Sequence, residues 1–145
     1  MKVRIGILSI VIAAIIIVVF SIKTTDVEYE QISIQQPSID VIGIRNYISL
    51  FSKESNVYFF IKDSEVIMFS NLRKPGYDHY SIAGMEMRAG KLHIDIKGNK
   101  NAKMQSAGNE LIVKLHIDQL PEKIKINFLG KRIKNYEIIS STMQQ

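Results

Sequence analysis

The pentapeptide KLHID occurs twice in this chain, at residues 91–95 and 114–118, with a histidine two residues before an aspartate in each copy. Alternate side chains of a β-strand point to the same face, so each copy presents one imidazole and one carboxylate together. These groups bind zinc and copper, and two copies on neighbouring strands bring four of them close together. A metal site is therefore one interpretation of the repeat, with the ligands His93, Asp95, His116 and Asp118.

The repeat also has a structural interpretation, which we prefer. When the two copies are written antiparallel with His93 opposite His116, each lysine lies opposite an aspartate and each leucine opposite an isoleucine. Opposite charges on paired strands contribute about 0.2 to 1 kcal/mol, and like charges cost a similar amount. A register shift of one residue would expose the apolar side chains. The sequence therefore predicts that segments 91–97 and 111–118 pair antiparallel in this register.

Other reactive chemistry has no support in the residue types. The chain contains no cysteine, which excludes disulfides, cysteine-zinc sites and thiol catalysis. It also lacks the GxSxG, SxxK and HExxH motifs and a glycine-rich phosphate loop, which mark common hydrolase and nucleotide sites. We therefore predict a protein without enzyme activity, without catalytic residues and without a cofactor.

Charge is distributed unevenly along the chain. Residues 24–145 contain sixteen basic and fourteen acidic side chains, a net +2, which is too weak for a nucleic-acid-binding domain. Within them, residues 24–96 carry −3 and residues 97–134 carry +6. We prefer the interpretation that the excess lysines over 97–134 lie on the solvent-exposed face of a sheet. The functional alternative is that they contact an anionic lipid surface, a wall polymer or an acidic partner. The residues of such a basic loop contact are Lys97, Lys100 and Lys103.

An apolar segment precedes the charged part of the chain. Residues 5–22 carry no charge and are long enough to cross the hydrocarbon core of a bilayer. A cleaved signal has a shorter apolar region and a small-x-small exit, so we prefer an uncleaved anchor. Lys2 and Arg4, against Lys23 alone on the far side, place the N-terminus inside and the rest outside. The predicted order begins with a cytoplasmic N-terminus (1–4), the anchor (5–22) and a juxtamembrane segment with the first strand (23–37). An extracytoplasmic β-rich domain (38–139) and a disordered tail (140–145) follow.

Beyond the anchor the hydrophobic pattern mostly has a period of two, which predicts seven or eight short strands in an antiparallel sheet or small sandwich. Turns between them are expected at 63–64, 75–76, 88–90 and around Pro121. Segment 38–53 fits a short helix better than a strand, because its apolar residues share one helical face: Val41, Ile44, Ile48 and Phe51. The predicted fold is an N-terminal transmembrane helix followed by a mainly β domain with one short helix.

Three short motifs carry a resemblance to a known family: KPGY at 74–77, YSI at 80–82 and GKL at 90–92. In this order, after a helix, they are similar to the C-terminal domain of protease-complex accessory proteins of the bacterial envelope. The similarity covers about residues 38–97. It implies a binding or stabilising role toward another envelope protein, with no catalytic residues to carry over.

These observations lead to one functional expectation and one alternative. We expect a single-pass envelope protein whose extracytoplasmic β-rich domain binds a protein partner. The alternative is an envelope sensor that binds a metal or another ligand through His93 and His116. If residues 5–22 are a cleaved signal, the domain is secreted.

Overall fold

The computed structural model describes residues 24–32, 39–51, 56–62, 65–100 and 110–140. Within these residues the chain forms one helix and ten strands. The helix α1 is Ile39–Phe51. The strands are β1 Thr24–Asp26, β2 Tyr29–Gln31, β3 Val57–Lys62, β4 Glu65–Ser70, β5 His79–Arg88, β6 Lys91–Asn99, β7 Leu111–Leu115, β8 Lys123–Phe128, β9 Lys131–Ile133 and β10 Tyr136–Ser140.

The strands form two five-stranded sheets. The first sheet has the order β1-β5-β6-β8-β9, and the second has the order β10-β3-β4-β7-β2. Both sheets are mixed, because β6 pairs with β8 in parallel and β3 pairs with β10 in parallel. The mainly β fold with one short helix is confirmed, whereas an antiparallel-only sheet is wrong.

The two sheets pack against each other through alternate side chains. On β6, Leu92, Ile94 and Ile96 are buried, and the residues between them are exposed or half-buried. They join one apolar cluster with side chains of the second sheet, including Phe59 and Met68, which are both fully buried. Burial of apolar surface at about 25 cal/mol per Å² is the main force that holds the sheets together.

Helix α1 covers the outer face of the second sheet. Its Ile44 joins a second apolar cluster with Tyr58, Phe69 and Ile112 from three strands of that sheet. Consecutive residues are therefore buried on both faces, as at Tyr58 and Phe59. This explains the continuous apolar runs in these strands, which differ from the alternation on β6. The helix expected over 38–53 is confirmed.

Tight turns fix the register of the hairpins. Arg88 pairs with Lys91 around Ala89 and Gly90, whose φ angles are 50° and 70°. Two positive φ values match the type I′ turn that suits the twist of a hairpin. Gly76 has a φ of 85°, so the expected turns at 75–76 and 88–90 are confirmed. Lys62 pairs with Glu65, whereas the turn expected at 63–64 lies outside the described residues.

The expected pairing of the two KLHID segments is wrong. Strand β6 lies in the first sheet between β5 and β8, and β7 lies in the second sheet between β4 and β2. The physical reason is burial, because Leu111, Ile112 and Val113 of β7 are all buried. Such a strand needs cover on both faces, which only a central position in the second sheet provides.

The N-terminal prediction lies partly outside the described residues. The proposed anchor over 5–22, and all of the tail after Ser140, are not described. In the part of the chain that is described, no helix is long and apolar enough to cross a membrane. Strands β1 and β2, within the predicted juxtamembrane segment 23–37, pair with β5 and β7 and belong to the two sheets.

Candidate functional site

The outer face of the first sheet is polar. Strands β6 and β8 turn their isoleucines inward, so Lys91 and His93 on β6 lie on the outer face with Lys123 and Lys125 on β8. Parallel pairing sets Lys91 beside Lys123 and His93 beside Lys125. Helix α1 packs on the second sheet. Within the described residues, the helix therefore does not cover this polar face.

Three basic side chains form a row across this face. Arg88 of β5 pairs with Lys91 of β6, which in turn pairs with Lys123 of β8. We call these residues the basic row. All three are exposed. Like charges on neighbouring strands cost roughly 0.2 to 1 kcal/mol per pair, so this row does not stabilise the fold.

A cavity of about 410 Å³ lies beside this row and is lined by two of its members, Lys91 and Lys123. Its charged lining consists of four basic side chains and one acidic side chain, a formal charge of +3 with His93 neutral. We call the four basic residues the basic surface: Lys91, Lys123, Lys125 and Arg132. The single acidic residue is Glu122. A second cavity of about 550 Å³ shares Lys91, Glu122 and Lys123, so both cavities lie at the same end of the first sheet.

Within the described residues, no ion pair involves a member of the basic surface. In the described part of the chain, ion pairs join Arg45 to Glu110 and Lys114 to Glu65. Two acidic neighbours, Asp26 and Glu86, lie side by side on β1 and β5, next to His93 rather than to the lysines of β8. The surface therefore keeps an unbalanced positive charge that an anionic ligand can neutralise.

The predicted metal ligands are placed on two different sheets. His93 lies between Glu86 and Lys125 on β6, whereas His116 follows the end of β7 and its backbone N–H donates to the Glu28 carbonyl at 3.0 Å. The described residues contain no group of three or more His, Cys, Asp or Glu side chains that could hold a metal. The strand pairing on which that site depended is absent.

The carboxylates of the repeat have other neighbours as well. Asp95 accepts a hydrogen bond from the Asn127 side-chain amide at 2.6 Å, and Asp118 is exposed after β7. The lysine expected opposite Asp95 instead bonds Glu65 of β4. The charged residues of the two copies therefore pair with different partners rather than with each other.

The lysines of the predicted basic loop occupy different positions. Lys97 is exposed on the outer face of β6, and the Nζ of Lys100 lies 5.3 Å from the centre of the Tyr77 ring. Lys103 lies outside the described residues. A second lysine, Lys74, has its Nζ 5.8 Å from the centre of the same ring. The structure thus places two of these lysines at the opposite end of β6 from the basic row.

Comparison of the chain with protein-family models, curated proteins and solved structures found no match. The site is therefore defined by geometry alone. The sequence analysis did not identify the five basic residues of the site as a group: Arg88, Lys91, Lys123, Lys125 and Arg132. The available signal was the excess charge over 97–134 together with the alternation of lysine and isoleucine at 123–126. The sequence pattern does not indicate that β8 pairs with β6.

Proposed function

We propose that this chain is a membrane-anchored, extracytoplasmic binding module of the cell envelope that captures an anionic partner with its basic surface. The observation that carries this proposal is the set of four Lys and Arg side chains around one cavity with a single acidic neighbour. Carboxylate and phosphate groups are the natural partners of such side chains. The apolar segment 5–22 supplies the proposed anchor.

The geometry favours binding in a second way. The backbone positions of Lys91 and Lys123 are set by two neighbouring strands whose inward side chains include the fully buried Leu92 and Ile126. The positive charges are therefore held close together before any partner arrives, which lowers the cost of ordering the site on binding. An envelope protein with an acidic patch, the partner class expected from the sequence, satisfies this charge requirement.

A charge-reversal comparison tests the proposed function. The full chain is placed in nanodiscs of neutral lipid, and binding of a fluorescent polyglutamate peptide is followed by anisotropy. Lys91→Glu removes an attraction and adds a repulsion, each worth about 0.2 to 1 kcal/mol at an exposed site, so affinity should fall by roughly two- to thirtyfold.

The matched control is Lys97→Glu on the same strand and the same exposed face. Six residues separate the two lysines, about 20 Å along a strand. The control should bind the peptide with nearly unchanged affinity. Equal losses in both variants, or no salt-dependent binding by the original chain, would contradict the proposed function.

A further inference from the structure

We infer that the anionic partner of the basic surface is the phosphate-bearing headgroup layer of the membrane that holds the anchor. This inference rests on the proposed function and names the partner of the same site. It follows from where the chain enters the fold. Strand β1 begins at Thr24, and Thr24 pairs with Arg88, the first member of the basic row.

The register places the whole row at the level of this entry point. Thr24, Arg88, Lys91 and Lys123 are successive neighbours across four strands. Paired strands lie about 4.8 Å apart, so Lys123 is roughly 15 Å from Thr24 along the row. All three basic residues are therefore grouped at the end of the sheet at which the anchor joins it.

The length of the connection sets the height of the row above the lipid. Only Lys23 stands between Thr24 and the apolar segment that ends at residue 22. One residue spans at most about 3.6 Å, so Thr24 lies within roughly 7 Å of the end of that segment. Each headgroup layer is about 5 to 8 Å thick. The row thus lies within reach of the lipid phosphates.

The charges also favour this orientation. Glu122, directly before Lys123, is one carboxylate against the three basic side chains of the row. Asp26 and Glu86 lie two residues from Thr24 and Arg88, on the side away from the entry point. A tilt that lowers Lys91 and Lys123 onto an anionic surface is therefore attractive. The anchor already holds the domain at the membrane, so contacts that would be too weak for a free protein suffice here.

The test measures contact between the domain and its own membrane. The chain has no cysteine, so a single Gln119→Cys carries one fluorescent label. Gln119 is exposed and lines the second cavity with Lys91 and Lys123. The labelled full chain is reconstituted in nanodiscs of phosphatidylcholine alone or mixed with phosphatidylglycerol, with a quencher on some headgroups. Quenching should be stronger in the anionic discs, and salt should remove the difference.

The decisive variant combines Lys91→Glu with Lys123→Glu. Each basic residue near an anionic surface contributes about 1 kcal/mol, so the ratio of docked to undocked domain should fall by at least about thirtyfold. The control reverses two exposed lysines outside the basic surface, Lys74→Glu with Lys97→Glu, and should keep the quenching. Thermal unfolding in neutral discs confirms that each variant is folded.

The outcomes separate this inference from the proposed function. If quenching is the same in neutral and anionic discs while polyglutamate still binds, the lipid inference is overturned and an acidic protein is the partner. If neither lipid charge nor polyglutamate has an effect, both proposals are overturned. Loss of quenching in the control variant as well would overturn the lipid inference, because the effect would then not depend on the basic row.

Discussion

The substitution Lys123→Glu should make the fold more stable while it weakens anion binding. Lys123 is exposed and lies beside Lys91, with Lys125 two residues further along the same face of β8. A glutamate at this position would replace repulsion of both lysines by attraction. Stability and binding therefore change in opposite directions, which is expected where charges are kept close together for a ligand.

The size of the gain follows from the paired register. Removal of one like-charge pair with Lys91 gains about 0.2 to 1 kcal/mol, and the new opposite-charge pair contributes a similar amount. The two contributions sum to about 0.4 to 2 kcal/mol. Because all of these side chains are exposed or half-buried, solvent screening places the total in the lower half of that summed range, at about 0.5 to 1 kcal/mol. For a domain of this size the melting temperature should rise by roughly 2 to 4 °C.

Circular dichroism of the full chain in neutral detergent measures the melting temperature at low and high salt. The gain should largely disappear near 1 M salt, where the screening length is about 3 Å. The double variant Lys91→Glu with Lys123→Glu restores a like-charge pair between β6 and β8, but it also turns the repulsion between Arg88 and position 91 into attraction, so it should keep a gain of similar size. A Lys123→Glu variant that is no more stable than the original chain, or a gain that persists at 1 M salt, would refute the reasoning.

Further predictions concern glycine positions and one ion pair. Gly98→Ala should lower the free energy of unfolding by about 1 to 3 kcal/mol in urea titration, because a Cβ there would overlap the ring of Tyr77; an unchanged midpoint would contradict this packing. Gly43→Ala in α1 meets nothing within 4 Å and should instead raise stability by about 0.5 to 1 kcal/mol, and a loss would mean that the position is not open. Lys114→Glu should lower the stability, and Glu65→Lys, at its ion-pair partner on β4, should restore it in a double-mutant cycle followed by thermal unfolding. Asp95→Lys should not restore the stability.

Local sequence patterns were sufficient to predict a structural feature where the residues that form it are close together in the chain. The antiparallel pairing of β3 with β4 and the turn at 89–90 each follow from turn chemistry and strand periodicity. Helix α1 was recognisable because its apolar residues recur at helical spacing. In each of these cases the residues that determine the structure are within about ten positions of one another.

The arrangement of the sheets required information that local patterns do not contain. Strands β6 and β8 are parallel neighbours, yet β7 lies between them in the chain and belongs to the other sheet. The basic surface exists only because of this pairing, which sets Lys91 beside Lys123. A parallel pair needs a crossover connection, and nothing in the residues of β6 specifies which later strand returns to it.

The repeated pentapeptide shows why identical residues can have different roles. In the first copy, all five residues belong to β6, with one face buried and one face toward solvent. In the second copy, only Lys114 and Leu115 belong to a strand, and the preceding residues Leu111 to Val113 are buried on both faces. The apolar residues before the second copy, rather than the copy itself, determine its sheet.

The charge complementarity between the copies is worth at most about 1 kcal/mol per pair, whereas burial of one large apolar side chain is worth about 1.5 to 3 kcal/mol. Burial therefore decides the topology, and the charged residues of β6 are left on the outer face with neighbours on β5 and β8.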